Sequence, residues 1–365
     1  MKKRIKLFDP TTDINEEKVI KKILNSHFWA SGAGTNQVLK FEEKFRDYIK
    51  TKKCVSVNSG TAALHLALSL FDIKNKEVII PSISFVATAH AVIYNGGIPK
   101  FVDVDERNLC IDSEEISKNI TNNTAIVLPV HFAGMPCELT KIKKIIKENN
   151  IKLIEDAAHA TGSNYKNKKI GVHGDAVCFS FHPVKNLAMP TGGAITLNGK
   201  ESKLQELDIK SKRWCGINNR KGTNYDVDRL GWNYYMNEFS AAIGLEQLKK
   251  IEFLNKKKKK IAKRYSDEIK IIEKIPFDEN CSYHIYWIRV KNRNNFMKKM
   301  NERGIETGIH YNPIHKMTLY NKKINLPITE RVSREVVSIP IHANLSDTEI
   351  SKVIFNVNKF AENIR

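Results

Sequence analysis

The chain has 365 residues, 41% of them hydrophobic, enough for a large core and two or so structural units. Its formal net charge of +20 invites a nucleic-acid reading, but the excess is mostly lysine spread along the whole chain. No aromatic-interleaved basic stripe, zinc-finger or basic-zipper pattern accompanies it, so a non-catalytic nucleic-acid-binding protein stands only as the rival from another class. There is no apolar run of membrane-spanning length, and no apolar h-region follows the basic start Met1-Lys2-Lys3-Arg4. The six cysteines (Cys54, Cys110, Cys137, Cys178, Cys215, Cys281) have no close pair in sequence. The expectation is a reduced, cytoplasmic chain with no membrane contact, signal peptide, disulfide framework or metal site.

In chain order, Cys54-Val55-Ser56-Val57 reads as a strand and Leu64 to Leu70 as the helix after it. Val78-Ile79-Ile80, Phe101-Val102-Asp103-Val104, Ala125-Ile126-Val127-Leu128 and Lys152-Leu153-Ile154 read as further strands. Leu139, Ile142, Ile145 and Ile146 have helical spacing between the last two, framed by Glu138 and Asn149-Asn150. Cys178 to Phe181 reads as a strand that breaks at Pro183, and Ala194 to Leu197 as another. Such alternation implies a mostly parallel seven-stranded sheet covered by helices. Residues 240 to 266 read as one long helix, which makes the dense run Lys256 to Lys260 a solvated helix face. Then come a strand from Tyr283 to Val290, a helix from Asn295 to Glu302 and a strand from Glu306 to His310. A final helix opens at Ser346, with Glu349 completing a capping box. This suggests a large α/β domain over 1–245 and a smaller C-terminal α+β domain over 246–365.

In a sheet of this kind ligands sit beyond the carboxyl ends of the strands. Asn58-Ser59-Gly60-Thr61 opens a helix with free N–H groups and two hydroxyls, a phosphate site, although Ser and Thr are also ordinary N-caps. Pro81-Ser82-Ile83-Ser84-Phe85 ends in an aromatic ring suited to stacking on a planar ligand or to packing in a core. Asp156, in Glu155-Asp156-Ala157-Ala158-His159, is a carboxylate that would pair with a pyridinium if buried, or cap a helix. Ser180 follows the next strand. Lys185 then sits on an irregular loop, where a desolvated amine can condense with an aldehyde; the bland alternative is one more solvated lysine. Each position is ambiguous alone. Together and in this order they match the needs of pyridoxal 5'-phosphate.

The chain resembles the DegT/StrS family of pyridoxal-phosphate-dependent nucleotide-sugar aminotransferases over nearly its whole length. The resemblance is carried by Trp29-Ala30-Ser31-Gly32, Asn58 to Leu64, Pro81 to Thr88, Pro99 to Val104, Glu155 to Ala160 and Phe179 to Asn186. Gly192-Gly193-Ala194, Gly231-Trp232-Asn233-Tyr234, Ala241 to Gly244 and His310-Tyr311 extend it. It implies a fold type I transferase working as a homodimer, with the cofactor passing through its pyridoxamine form. Lys185 would hold the cofactor as a Schiff base and then shuttle the proton. Asp156 would pair with the pyridine nitrogen, Phe85 would stack on the ring, and His159 would neighbour the phenolic oxygen. Gly60, Thr61 and Ser180 would bind the phosphate with Asn233 from the partner subunit. His182, His310 and Tyr311 would lie near the sugar.

Three places depart from the family pattern. Met189-Pro190-Thr191-Gly192-Gly193 replaces a more usual Thr-Gly-Glu-Gly-Gly, Tyr235 stands where Arg is common, and Arg213-Trp214-Cys215-Gly216 replaces an Asn/Ser-His-Gly. These put the identity of the sugar in doubt rather than that of the cofactor. The expected reaction moves an amino group from glutamate to a nucleotide-linked keto-deoxy sugar, a 4-keto-6-deoxyhexose first, for a surface polysaccharide or glycoconjugate. A sugar dehydratase on the same scaffold is the alternative, and the lysine argues against it because the dehydrating branch carries His at that place.

Overall fold

The computed structural model describes residues 4–321 and 323–362; the basic start at Met1-Lys2-Lys3 lies outside them. The central sheet has seven strands, in the spatial order Lys53–Val57, Gly193–Leu197, Ala176–Ser180, Lys152–Asp156, Thr124–Val127, Glu77–Pro81 and Ile98–Val102. Only Gly193–Leu197 runs antiparallel to its neighbours; the other pairings are parallel. Side chains alternate between two cores along each strand. Ile79, Val127, Leu153 and Val177 enter one cluster, whereas Val78, Ile80, Ile126, Ile154 and Cys178 enter the other. Burial on both faces is why these strands read as continuous apolar runs.

Six strands therefore deliver their carboxyl ends to one edge of the sheet, where the antiparallel strand begins at Gly193. At that edge the helix Gly60–Leu68 starts immediately after its strand, with the Ser59 side chain accepting from Ala62 N–H. A Cβ on Gly60 would come within 2.7 Å of the Ser180 Cβ, so only glycine lets the helix start approach the neighbouring strand end this closely.

The long helix runs unbroken from Glu238 to Glu268, capped by Asn237, and residue 245 falls inside it. Beyond it, Tyr286–Arg289 pairs antiparallel with Val336–Ile339, flanked by the helices Arg293–Glu302, Pro327–Glu335 and Asp347–Phe360. The capping box expected at Ser346 is present, with Glu349. The first of these strands begins later than its sequence suggests because Tyr283 has a left-handed backbone, φ 48°. No strand forms over Glu306 to His310. Ile305 bridges Ile5 and Gly308 bridges Ser338, so the segment splits its pairing between different neighbours instead of building one ladder. The N-terminal segment at Ile5 is thereby tied to the C-terminal part of the chain. Among the described residues, no helix is long and apolar enough to cross a membrane.

Candidate active site

A cavity of about 360 Å³ opens at the carboxyl edge of the sheet. Gly60, Thr61, Phe85, Asp156, His159, Ser180, His182, Lys185, His310 and Tyr311 all line it, joined by Thr88 and Ala158. The last two ring-bearing residues arrive from the C-terminal part, more than a hundred positions after Lys185. Asn233 does not line this cavity. It is exposed, pairs with Trp214 and accepts from Asn58 Nδ2 at 3.3 Å through its backbone carbonyl.

Asp156 is buried at the end of its strand. Its Oδ1 accepts from Ala158 N–H at 3.1 Å and its Oδ2 from the Thr88 hydroxyl at 2.8 Å. Because Thr88 donates to the carboxylate, its oxygen accepts from Ser84, 2.7 Å away. Burial pushes the Asp156 carboxyl above its ordinary value, opposed by these two donors and by the charge of Lys185. A cation inside the cavity is what would hold it ionised.

Lys185 is half-buried. Burial lowers its amine to about 8, with Asp156 pulling the other way, so a usable fraction is neutral near pH 7 to 8. Its Nζ lies 3.3 Å from Nε2 of His284. His159 accepts Ala133 N–H at Nδ1, which places its own proton on Nε2, 3.2 Å from the Tyr311 hydroxyl. The hydroxyl proton of Tyr311 is then free for a ligand oxygen. His310 rests its Nδ1 on the Ser338 hydroxyl at 2.8 Å, and burial, then the Lys185 charge, brings it down to about 4. Phe85 stands at the mouth, 58% exposed, its ring 6.1 Å from that of Tyr311.

These residues fit pyridoxal phosphate. The glycine-tight helix start beside Ser180 offers N–H and hydroxyl donors to a phosphate, Asp156 lacks only a cationic partner, Phe85 offers a ring face, and Lys185 offers an amine.

Thr88, Ser84 and His284 escaped the sequence reading. Thr88 closes the stretch Pro81 to Thr88, three residues after Phe85, in the first turn of the helix Ala87–Tyr94. Nothing around His284 signals a site, because only the fold brings it to a lysine 99 positions earlier. The departures also sort themselves. Thr191 and Gly192 line the cavity, whereas Tyr235 is half-buried outside it. Arg213 is fully buried away from it, paired with Glu42 and donating to Ser56 O at 2.8 Å.

The model of the DegT/DnrJ/EryC1/StrS aminotransferase family matches residues 10–358. The chain is 31% identical over 366 residues to GDP-perosamine synthase of Escherichia coli O157:H7, covering 98% of this chain and 99% of that one. It is 35% identical over 376 residues to an uncharacterized protein of Methanocaldococcus jannaschii, covering 96% and 97%. Among solved structures it is similar to Helicobacter pylori PseC, an aminotransferase involved in the biosynthesis of pseudoaminic acid. The TM-score there is 0.92 at 29% identity, over 98% of this chain and 99% of that one.

Proposed function

Because the chain belongs to the DegT/DnrJ/EryC1/StrS aminotransferase family, we propose that it moves an amino group from glutamate to the keto carbon of a nucleotide-linked deoxy sugar. It is a pyridoxal-phosphate-dependent sugar aminotransferase. The acceptor, a 4-keto-6-deoxyhexose, the donor, and the destination in a surface polysaccharide or glycoconjugate are the proposed part. Two relatives named for the sugars they help make, GDP-perosamine and pseudoaminic acid, support a sugar acceptor.

The observation that carries the reading is the meeting of Lys185 and Asp156 in one cavity at the strand ends. When bound, the cofactor supplies an aldehyde that carries nitrogen and a ring that accepts electron density. Gly60, Thr61 and Ser180 would hold its phosphate, and Asp156, kept in place by Thr88 and Ala158, would face its ring nitrogen. Phe85 would cover the ring from the mouth. The Tyr311 hydroxyl, oriented by His159, would reach a ligand oxygen. Lys185, neutral in useful proportion at working pH, would take a proton from one carbon and return it to another. His182 and His310 would face the sugar.

We also propose a homodimer. Asn233 is exposed outside its own chain's cavity, and nearby Tyr225, Val227 and Leu230 are exposed, Leu230 to 89%. A second copy would cover these side chains and bring Asn233 to the phosphate site. The division at 245 remains a proposal on the same footing, with His310 and Tyr311 supplied by the smaller part. The reading places the reaction in the cytoplasm, in line with six free cysteines.

The test is incubation with glutamate and a panel of nucleotide-linked 4-keto and 3-keto sugars, followed by mass detection. The expected product has gained nitrogen, with one 2-oxoglutarate formed per sugar. A product that has only lost water would replace this reading with a dehydratase.

A further inference from the structure

Lys185 has one polar contact in this structure that the functional reading leaves unused. His284 is 1% exposed, and its Nε2 lies 3.3 Å from Lys185 Nζ. Its Nδ1 is buried and has no hydrogen-bond partner among the described residues. A buried imidazole with one nitrogen unmatched carries a desolvation cost that a core position would avoid with an apolar side chain. The ring is also held tightly. Phe8 stacks on it at 5.3 Å and 19°, and the His159 ring lies 4.5 Å away. Its backbone N–H donates to Ala133 O at 2.9 Å. Two residues earlier, the Ser282 hydroxyl donates to His159 O, and Ser282 O accepts from Asn186 Nδ2 at 2.8 Å, the residue following Lys185. One short segment thus supports both the lysine and its neighbour.

We propose that His284 is the positioning residue for the Lys185 amine, its Nε2 lone pair accepting an N–H of the lysine and holding the amine in place whenever it is released from the cofactor.

The electrostatics agree with that division of labour. The groups around the pair are Asp156 from the sheet edge, His159, His182, His310, Tyr311 and Lys258 from the long helix. Burial, then the cations Lys185 and Lys258 together with His159 and His310, hold His284 well below its ordinary value, so it stays neutral. With Nε2 turned toward an ammonium, the Nδ1–H tautomer is the one that bonds, and the proton stays on Lys185. The lysine remains the group that moves protons to carbon, and His284 fixes where that lone pair points.

The inference rests on Lys185 being the cofactor lysine, so it is read first on the cofactor-free protein. Trace acetylation of Lys185 with acetic anhydride, followed across pH by peptide mass spectrometry, gives the midpoint of its amine. The wild-type midpoint is expected near 8. In His284→Phe the ring contact with Phe8 is kept and the acceptor is lost. An ammonium without its acceptor is less stable, so the midpoint should fall by about one unit. His284→Gln, which offers an amide oxygen near the Nε2 position, should restore it to within about a third of a unit. With cofactor, His284→Phe should lower kcat about tenfold with little change in KM, and Gln should recover most of it. Identical midpoints in all three proteins would overturn the proposal, as would a Gln variant that behaves like Phe in a folded, cofactor-binding state. If Lys185 takes up no cofactor at all, the functional reading falls while the midpoint result still stands.

Discussion

Thr88 gives its hydroxyl proton to Asp156 Oδ2 at 2.8 Å and takes one from Ser84, so the carboxylate at the strand end is held by a buried two-hydroxyl chain. That arrangement holds the carboxylate at Oδ2 as Ala158 N–H holds it at Oδ1, and it offsets part of the burial that pushes its carboxyl up. Thr88→Val removes the donor at almost constant volume. Losing a hydrogen bond to a buried carboxylate costs about 1.5–3 kcal/mol, so pyridoxal phosphate should bind ~10-fold or more weakly by equilibrium titration. Thr88→Ser should recover most of the loss. Unchanged affinity in the valine variant would remove Thr88 from the site.

Lys185→Ala and Lys185→Arg should both lose turnover. Alanine lacks an amine, and arginine carries a guanidinium that stays protonated at any working pH. Both should fold, because Lys185 is half-buried and, among the described residues, its one side-chain hydrogen bond is to His284. Appreciable activity in either variant would reject the lysine's role.

The depressed amine of Lys185 also sets a pH dependence. Its neutral fraction grows as pH rises through about 8, so the rate at which cofactor-free protein captures pyridoxal phosphate should rise over roughly pH 7 to 9 and then level off. Stopped-flow absorbance measures this. A flat profile, or one still rising steeply toward the ordinary lysine value, would mean the amine is not desolvated.

Lys258 departs from the solvated face expected for Lys256 to Lys260: helical rotation turns it inward, where it is buried and donates to Asn186 Oδ1 at 2.7 Å. Burial lowers its amine from 10.5 to about 7. The unfolded chain therefore binds that proton more tightly than the folded one, so this group destabilises the fold in full below about pH 7, and the penalty fades as pH rises toward 10.5. Lys258→Met should melt at or above the wild-type temperature at pH 6, and its advantage should shrink by pH 9 to 10. The same variant should bind cofactor less well, because Asn186 loses one of the three partners that pin the loop beside Lys185. A variant less stable at pH 6 than at pH 9, relative to wild type, would contradict the sign.

Arg213 and Glu42 form a fully desolvated pair that ties the helix Asn36–Ile49 to the strand Lys53–Val57, with Ser56 donating both N–H and hydroxyl to the same carboxylate. Glu42→Ala leaves the guanidinium buried without its anion, a loss of about 3–5 kcal/mol. Chemical denaturation should show it. A loss below about 1 kcal/mol would mean the pair relaxes into solvent.

Much of this was readable before the fold was known. Strand positions follow from apolar runs, since a parallel sheet buried on both faces leaves a strong local signature. Gly60, Phe85, Asp156, Ser180 and Lys185, which the fold gathers at one cavity, were each ambiguous alone and stood out only by their order and by the family resemblance. Element ends were less legible. A left-handed Tyr283 and the split pairing around Gly308 depend on tertiary neighbours, not on propensity. Thr88 was hidden because a threonine in a helix's first turn looks like any other until the carboxylate it serves is placed opposite. Arg213 belongs to a departure from the family pattern that put the identity of the sugar in doubt, yet the fold turns it inward to Glu42. His284 had no local signal, since its meaning lies in a contact across 99 residues.

The most direct test of the central claim is borohydride reduction of the protein after incubation with pyridoxal phosphate, followed by peptide mass spectrometry. The reduced cofactor should appear on the peptide that contains Lys185, in close to one copy per chain, and should be absent from Asp156→Asn protein treated at the same limiting cofactor concentration. Cofactor mass on another lysine, or on none, would contradict the account.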